Sequence, residues 1–169
     1  MNISGKNSLA IKTIRNIKLE DNKEIATIIR SCLTEFGANK PGTVYFDDST
    51  DNLFQLFTEN NSAYFIAELD GVIVGGGGIF PSDGLPNDTC ELVKMYLLPT
   101  ARHSGLGAAL MLKCLETAKS NGFNKIYLES MPELKRAISV YEKFAFKFLD
   151  KPMGNTGHHG CSVWMCRDL

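Results

Sequence analysis

The sequence predicts a mixed α/β fold, with a central sheet of about six or seven strands and about four helices on its faces. Two alternating segments, residues 63–69 and 72–80, flank an Asp70-Gly71 pair, which is typical of an antiparallel hairpin. Further along, a strand pattern at residues 89–98 is followed by a helical pattern and another strand pattern. Because such a crossover joins parallel strands, we expect a sheet with both antiparallel and parallel pairs.

The individual elements follow from hydrophobic periodicity and from Gly, Pro, Asn and Asp at the breaks. The predicted strands are residues 11–19, 63–69, 72–80, 89–98, 125–129, 146–149 and 162–166. The predicted helices are one that begins at Asp21, one at 51–58, one from about Gly105 to Asn121-Gly122, and one at 133–144. Residues 1–10 are rich in Asn, Ser and Gly and are expected to form a flexible leader, with one domain over residues 11–169.

Composition excludes several classes of protein. The 169 residues carry a formal net charge of −1, and no basic block interleaved with aromatic residues appears, so nucleic acid is not an expected partner. No apolar run reaches the roughly 18 residues of a membrane span, and the first twenty residues lack the apolar segment of a signal peptide. Five cysteines without a C-x-x-C pair indicate reduced thiols. We therefore expect a cytoplasmic protein that does not contact membranes.

The loop between the strand at 89–98 and the following helix carries the strongest chemical signal. It contains Arg102, Ser104, Gly105 and Gly107, and backbone N–H groups at such a helix start can bind a phosphate. The glycines allow close approach of the backbone, Arg102 adds positive charge, and Ser104 can cap the helix. The alternative interpretation of Gly-x-Gly is a tight strand-to-helix turn without a ligand.

Two motifs resemble those of the GNAT superfamily of acyl-CoA-dependent N-acetyltransferases. Arg102-His-Ser-Gly105-Leu-Gly107 is similar to the phosphate loop of that family, Arg/Gln-x-x-Gly-x-Gly/Ala. Ala137-Ile-Ser-Val-Tyr-Glu-Lys-Phe-Ala-Phe146 is similar to its Ala-x-x-Leu-Tyr-x-x-x-Gly-Phe element. Two positions depart from the pattern: Ala145 replaces the usual Gly, and Leu134 replaces an Asn that faces the cofactor in many members. The resemblance spans nearly the whole chain and implies a splayed GNAT-like sheet.

The resemblance implies acetyl-CoA as the cosubstrate, with its diphosphate on the loop and its thioester against the preceding strand. The residues expected to bind it are Met95, Tyr96, Leu97, Arg102, His103, Ser104, Gly105, Leu106, Gly107 and Ala108. Backbone N–H groups of the strand segment are expected to bind the thioester carbonyl. No metal ion is expected.

Glu91 and Tyr141 are the expected catalytic residues. Glu91 occupies the position where many family members place a glutamate base, and strand alternation predicts that Val93, Met95 and Leu97 share its face. Apolar neighbours would raise its pKa and suit it to proton abstraction; the alternative is a strand-edge carboxylate paired with Lys94. Tyr141 matches the family tyrosine that faces the CoA sulfur, and the alternative is a buried core tyrosine.

The expected reaction is direct transfer of acetyl to a primary amine of a small molecule or peptide in a ternary complex. A non-catalytic acyl-CoA-binding or sensing domain and a dinucleotide-binding domain are the alternatives, the second weakened by Leu110 at the place of a third glycine. The tail with His158, His159 and Cys161 is expected to be a structural turn, with acceptor contact second and metal binding third. Dimers are common among proteins that resemble this one, so a homodimer is one expected assembly.

Overall fold

A computed structural model describes residues 9–169 and contains one mixed sheet flanked by helices. In chain order, the strands and α-helices are β1 (Lys12–Asn16), α1 (Asn22–Glu35), α2 (Leu53–Leu56), β2 (Ala63–Leu69), β3 (Val72–Phe80), β4 (Thr89–Leu97), α3 (Leu106–Ser120), β5 (Lys125–Ser130), α4 (Lys135–Lys143), β6 (Lys147–Phe148) and β7 (Val163–Asp168). Within residues 9–169 there are thus seven strands and four α-helices, which confirms the predicted fold class. The predicted leader, residues 1–10, lies almost entirely outside the described residues.

The strands are ordered β1-β2-β3-β4-β5-β7-β6 across the sheet. Every neighbouring pair is antiparallel except β4 and β5, which are parallel, as the crossover through α3 requires. The hairpin of β2 and β3 has the predicted bounds on both sides of Asp70-Gly71. No helix within residues 9–169 combines the length and the apolar character needed to cross a membrane.

Helices cover both faces of the sheet. The apolar side of α1, with Ile25, Ile29 and Leu33, packs on one face together with Tyr64 and Ile66 of β2. On the other face α3 packs through a set of buried residues that includes Leu110, Met111, Cys114, Leu115 and Ala118, with Ile138 and Tyr141 of α4 against the same cluster. Burial of these apolar side chains holds the helices on the sheet. β4 and β5 therefore lie between helices on both faces of the sheet.

Several element boundaries differ from the sequence-based expectation. β1 ends at Asn16 rather than at residue 19, because Arg15 forms an ion pair with Asp21 that turns the chain into α1. The loop at residues 36–48 contains short 3-10 turns, and α2 is limited to one turn. β7 continues to Asp168 because it pairs with all of β5.

Residues 75–78, four consecutive glycines in β3, form the close backbone approach that their place in a strand predicts. A Cβ on Gly76 would lie 2.7 Å from Cε1 of Tyr64, and one on Gly75 would lie 2.2 Å from the carbonyl oxygen of Tyr96. The register of β3 shifts against β4 between Gly76 and Gly78, and against β2 just before the segment, between Ile73 and Gly75. The glycines therefore let β2, β3 and β4 approach where side chains would collide.

A bulge in β4 corrects the predicted alternation of that strand. Lys94 has φ of +49°, and Gly76 and Gly78 of β3 pair with Tyr96 and Val93 of β4, so β4 carries one extra residue. As a result Met95 packs with Leu92 against the α3 side of the sheet, whereas Tyr96 packs on the α1 side. The expectation that Glu91, Val93, Met95 and Leu97 share one face is therefore wrong beyond Val93.

Candidate active site

The predicted phosphate loop is a strand-to-helix turn with an open helix start. Gly105 has φ of +88° and is the residue that caps α3, a conformation in which a side chain is disfavoured. The first backbone hydrogen bond of the helix runs from Ala109 N–H to the carbonyl of Gly105, at 3.1 Å. The amides of Gly107 and Ala108 precede that bond and have no intrahelical acceptor, so they are available to an anion.

Ser104 stabilises this turn, but it lies one residue before the N-cap of α3 and is not the N-cap itself. Its hydroxyl donates to the carbonyl of Ala101 and accepts from the N–H of Leu106 at 3.3 Å. The capping position itself belongs to Gly105. His103 also has a positive φ, +64°, and its exposed side chain lines the cavity described below. Ser104 thus shapes the loop through its hydroxyl, and the glycine provides the bend.

Arg102 lies at the loop but has an internal partner. Its guanidinium forms a bidentate ion pair with Glu35 at the end of α1, with N–O distances of 2.7 and 2.6 Å, and it lies 5.2 Å from the ring centroid of Phe36. Its Nε also donates to the carbonyl of Leu97 at 3.0 Å. The positive charge that the sequence assigns to the phosphate loop is therefore partly compensated by Glu35.

Lys12 of β1 is a cation at the loop that the sequence interpretation missed. Its ammonium donates to the carbonyl of Ser104, and a Cβ on Gly105 would lie 4.0 Å from its Nζ. The contact spans ninety-two positions of sequence, so no local pattern reports it. Lys12 places a second positive charge beside the exposed amides of α3.

A cavity of about 440 Å³ extends from this loop along the gap between β4 and α4. Its size is within the usual range for small-molecule sites. It is lined by predicted cofactor residues and by side chains of α4, in particular Met95, Tyr96, Leu97, Arg102, His103, Gly105, Gly107, Ala108, Leu134, Arg136, Ala137, Val140, Tyr141, Lys143 and Phe144. Arg136 and Lys143 add cations, so the cavity combines an apolar wall with positive charge.

The cavity exists because β4 and β5 diverge. Their parallel pairing is limited to Thr89–Lys125, Cys90–Ile126 and Glu91–Tyr127, and the strands separate after Glu91. From Leu92 onward, the backbone groups of β4 that point toward β5 have no ladder partner on that strand. Met95, Tyr96 and Leu97 therefore line an open slot.

Tyr141 lines the slot from the α4 side. Its ring packs on Phe146 with 5.9 Å between centroids, and burial raises the pKa of its phenol to about 12. The phenol is therefore a proton donor throughout the neutral range. Tyr141 thus packs against the core and also lines the cavity.

Ala145 forms the backbone bend after α4, at the position where a glycine is usual in the family motif. It has φ of +62°, a left-handed conformation, and its N–H bonds to the carbonyl of Glu142 at 2.9 Å. The second departure, Leu134, immediately precedes α4 and lines the cavity with an apolar side chain. The bend is kept, whereas the polar contact of an Asn at residue 134 is absent.

Glu91 is buried at the point where β4 and β5 separate. Its side chain is 3% exposed, and burial raises its pKa to about 7, although a hydrogen bond from the Ser82 hydroxyl opposes the shift. Lys94 does not pair with it, because the Lys94 ammonium binds Asp47 at 3.1 Å and Thr50 at 3.3 Å. Glu91 is therefore a carboxylate that can gain and lose a proton near neutral pH.

A group of charged residues surrounds Glu91, and the sequence interpretation identified only part of it. His158 Nε2 lies 3.0 Å from Oδ2 of Asp47, and His158 Nδ1 lies 3.9 Å from Oε2 of Glu129. The bond to Asp47 raises the pKa of His158. Burial alone would raise the pKa of Asp47, but the hydrogen bond from His158 and the charge of Lys94 hold it below its usual value. His158 therefore contacts the charged groups around Glu91 in addition to lying in the loop between β6 and β7.

Glu129 is fixed by two hydroxyl groups. Tyr127 donates to it at 2.7 Å and Thr156 at 2.8 Å. Within the described residues, Glu91, Glu129 and His158 form a group whose donor atoms all lie within 4.8 Å of one another, near enough to share a metal ion by donor type. These carboxylates and this imidazole form one compact polar cluster.

A second cavity of about 40 Å³ adjoins the first and opens onto this cluster. The residues that line both cavities are Leu92, Lys94, Tyr96, Glu129, Ser130 and Leu134. Ser130 contributes a buried hydroxyl that has no hydrogen-bond partner in the part of the chain that the structure describes. Glu91, His158 and Cys161 line the small cavity but not the large one. The two spaces meet in the slot between β4 and β5.

Three other candidate residues, His159, Cys90 and Cys161, show no feature that indicates a catalytic role. His159 is exposed next to His158. Burial raises the pKa of both Cys90 and Cys161 to about 12, so these thiols are protonated and weakly nucleophilic at neutral pH.

Comparisons with known proteins agree with this geometry. Residues 23–146 match the model of the acetyltransferase (GNAT) family. The chain is 43% identical over 158 residues to the Escherichia coli K12 protein named uncharacterized N-acetyltransferase YjgM, covering 92% of this chain and 94% of that protein. Its fold is similar to a GNAT family acetyltransferase from Staphylococcus aureus Mu50, with a TM-score of 0.80, 20% identity and coverage of 94% and 99%.

A phosphinothricin acetyltransferase from Sinorhizobium meliloti, solved in complex with acetyl-CoA, is similar in fold with a TM-score of 0.72 and 20% identity over 96% of this chain and 89% of that one. The family match covers most of the chain, and the relative from Escherichia coli covers nearly all of it. The chain therefore belongs to the acetyltransferase (GNAT) family.

Proposed function

We propose that this protein transfers the acetyl group of acetyl-CoA to a primary amine of a small molecule or peptide, by direct attack in a ternary complex. The observation that carries the proposal is the junction of the two cavities in the slot between β4 and β5. One cavity ends at the phosphate loop, and the other ends at Glu91. A thioester and an amine that enter from opposite sides would meet at the residues that both cavities share.

The larger cavity suits acetyl-CoA by charge and by shape. Its loop end offers the amides of Gly107 and Ala108, and Lys12 lies beside this loop. Arg136 and Lys143 add positive charge elsewhere in the lining of the cavity, which suits an anionic ligand. Its inner wall is apolar, as an acyl-pantetheine arm requires. Binding of acetyl-CoA by the similar protein of Sinorhizobium meliloti supports the same ligand here.

Glu91 acts as the base in this proposal. A primary amine with a pKa of roughly 10.4 needs about 4.6 kcal/mol to become neutral at pH 7, so a nearby proton acceptor accelerates the attack. With its pKa near 7, Glu91 takes the ammonium proton as an O–H bond forms and the N–H bond breaks. The small volume beside Glu91 admits the amine-bearing end of an acceptor while the remainder lies outside.

The slot and Tyr141 complete the transfer. Free N–H groups of β4 between Met95 and Leu97 would stabilise the oxyanion, and such donors contribute when they are aimed at the developing charge. As the tetrahedral intermediate collapses, the C–S bond breaks and the Tyr141 phenol donates its proton to the leaving thiolate. The attack is direct because Cys90 and Cys161 remain protonated thiols. The free cysteines also suit a reducing compartment, and we propose the cytoplasm.

Two measurements on the full chain test the proposal. Isothermal titration should show acetyl-CoA binding, and thiol release from acetyl-CoA should depend on an added primary amine, with the matching tertiary amine as control. Absence of heat at millimolar acetyl-CoA would overturn the proposal. Binding without thiol release across a panel of alkylamines, amino acids and lysine peptides would favour a non-catalytic acyl-CoA-binding or sensing domain.

The acid is tested with Tyr141→Phe, which keeps the ring against Phe146 and removes the phenol. We expect turnover to fall by about 10²-fold, the lower range for a general acid, with acetyl-CoA affinity and thermal stability close to those of the wild type. An equal loss of stability would assign Tyr141 to the core alone.

A further inference from the structure

Two carboxylates face one another at the acceptor end of the site. Glu91 and Glu129 each place an oxygen within 4.8 Å of the other and of a ring nitrogen of His158. Both side chains are shielded from solvent, at 3% exposure for Glu91 and 5% for Glu129. Two shielded negative charges at this separation repel strongly, so a positive charge nearby favours the state in which both carboxyl groups are ionised.

His158 is the group positioned to provide that charge. Asp47 holds one ring nitrogen, Nε2, at 3.0 Å, so the other, Nδ1, faces Glu129 at 3.9 Å. The surrounding loop is fixed at several points: Gly160 N–H bonds to the carbonyl of Gly42, and Asn155 N–H bonds to that of Asp83, both at 2.9 Å. The imidazole is therefore held against the carboxylates by two independent parts of the chain.

Other charged or titratable groups around Glu91 do not replace His158. On β4, the Lys94 ammonium is bound to Asp47 and Thr50. On β5, Glu129 adds negative charge and Tyr127 is a neutral phenol that donates to Glu129. In the loop between β6 and β7, Cys161 is a protonated thiol. Ser82, before β4, donates a neutral hydrogen bond.

We propose that His158, held by Asp47, is a positioning residue that supplies the positive charge facing Glu91 and Glu129 while Glu91 receives the proton of the acceptor amine. This inference rests on the proposed function, since it gives His158 a role through Glu91. An imidazolium beside Glu91 favours the carboxylate over the carboxylic acid, and the carboxylate is the form that accepts a proton. Without that charge, burial and Glu129 would hold Glu91 protonated to higher pH.

The test compares three full-length variants with the wild type: His158→Gln, which removes the charge; His158→Lys, which restores a positive charge without the imidazole; and His159→Gln, the matched control at the exposed neighbour. For each, kcat/KM is measured against pH with one primary amine, so that the pKa of the acceptor is common to all. The buffers contain EDTA, because Glu91, Glu129 and His158 could otherwise bind a divalent cation.

For His158→Gln we expect the acidic limb of the profile to move to higher pH by about one unit, so that the loss of activity is largest on the acidic side. His158→Lys should bring the limb back toward its original position, and His159→Gln should leave it unchanged. A purely structural role would instead lower activity equally at every pH. That outcome, or an unshifted limb in His158→Gln, would overturn the inference.

A direct titration separates this inference from the proposed function. The side-chain carboxyl carbon of Glu91 is followed by ¹³C NMR against pH in the protein without cosubstrate, with Glu91→Gln to assign the signal. A higher titration midpoint in His158→Gln than in the wild type and His159→Gln supports the role of His158, and an equal midpoint refutes it. If instead the acidic limb of the rate profile persists in Glu91→Gln, the assignment of Glu91 as base fails. The NMR titration would still show whether the charge of His158 changes the pKa of Glu91.

Discussion

The phenol of Tyr64, on β2, donates a 2.9 Å hydrogen bond to the main-chain carbonyl of Lys94, on β4, across the strand that separates them. It reaches that far because Gly76 and Gly78 leave the α1 side of β3 bare: a Cβ on either would lie within 2.8 Å of an atom of the Tyr64 ring. The carbonyl that it binds belongs to the residue with φ of +49°, at the bulge of β4. The glycine segment and the slot of the candidate site are thus connected through this hydrogen bond.

The bare surface of β3 is tested with Gly76→Ala. Its Cβ would lie 2.6 Å from the carbonyl oxygen of Phe65 and 2.7 Å from the Tyr64 ring, and both are buried. We expect a loss of about 1–3 kcal/mol in the free energy of unfolding, measured by urea denaturation. Gly77→Ala is the matched control, because its nearest neighbour is the terminal methyl of Met95 at 3.0 Å, which can move, and its nearest backbone atom, Cα of Met95, is at 3.3 Å rather than 2.6 Å. Equal losses in the two variants would contradict this account of the glycines.

The phosphate loop is tested with Gly107→Val. Gly107 lines the large cavity, and a Cβ there would already lie 3.3 Å from Cδ1 of Leu97, so a branched side chain would occupy the space beside the free amides. We expect acetyl-CoA to bind at least about tenfold more weakly in calorimetry, which corresponds to about 1.4 kcal/mol. Ala109→Val, on an exposed position of the same helical turn, should leave the affinity near the wild-type value. Unchanged affinity in Gly107→Val would exclude the loop as the binding site.

The bend after α4 is tested with Ala145→Gly. Because Ala145 has φ of +62°, its Cβ is strained where glycine would be relaxed, although glycine also gains freedom in the unfolded chain. We expect the substitution to raise the free energy of unfolding by about 0.5–1 kcal/mol in chemical denaturation. Ala109→Gly, within α3, should lower it by about 1 kcal/mol instead. Destabilisation by Ala145→Gly would show that the strain is offset by contacts of the methyl group.

The raised pKa of Glu91 predicts how stability depends on pH. A carboxyl group that titrates near 7 when folded, rather than near 4.5, binds more protons in the folded state between these values, so the wild type loses stability as the pH rises through that window. Glu91→Gln removes this loss. The free energy of unfolding of the variant should therefore increase relative to the wild type by about 2–3 kcal/mol between pH 4.5 and pH 8. A constant difference across the window would show that Glu91 titrates normally.

Local patterns were sufficient for most of the fold. The β2-β3 hairpin was predicted with its exact bounds because Asp70-Gly71 and the flanking alternation are contiguous in sequence. The strand-loop-helix unit around Gly105 was predicted for the same reason, and its loop forms one end of the large cavity.

The bulge of β4 and the partners of Glu91 were not predictable from local patterns. Strand alternation assigned Met95 to the face of Glu91, but Lys94 adopts its unusual backbone conformation in contact with Tyr64, thirty positions earlier. Asp47 joins the site through His158, over one hundred and eleven positions. Such contacts depend on the folded arrangement of loops, for which the sequence carries no periodic signal.

The bidentate pair of Arg102 with Glu35 ties the carboxyl end of α1 to the start of the phosphate loop. A diphosphate that recruits this guanidinium must first compete with the Glu35 carboxylate, so ligand affinity includes the free energy of exchanging one anion for another. Since Cys32 of α1 also lines the large cavity, such an exchange would couple ligand binding at the loop to the packing of the carboxyl end of α1.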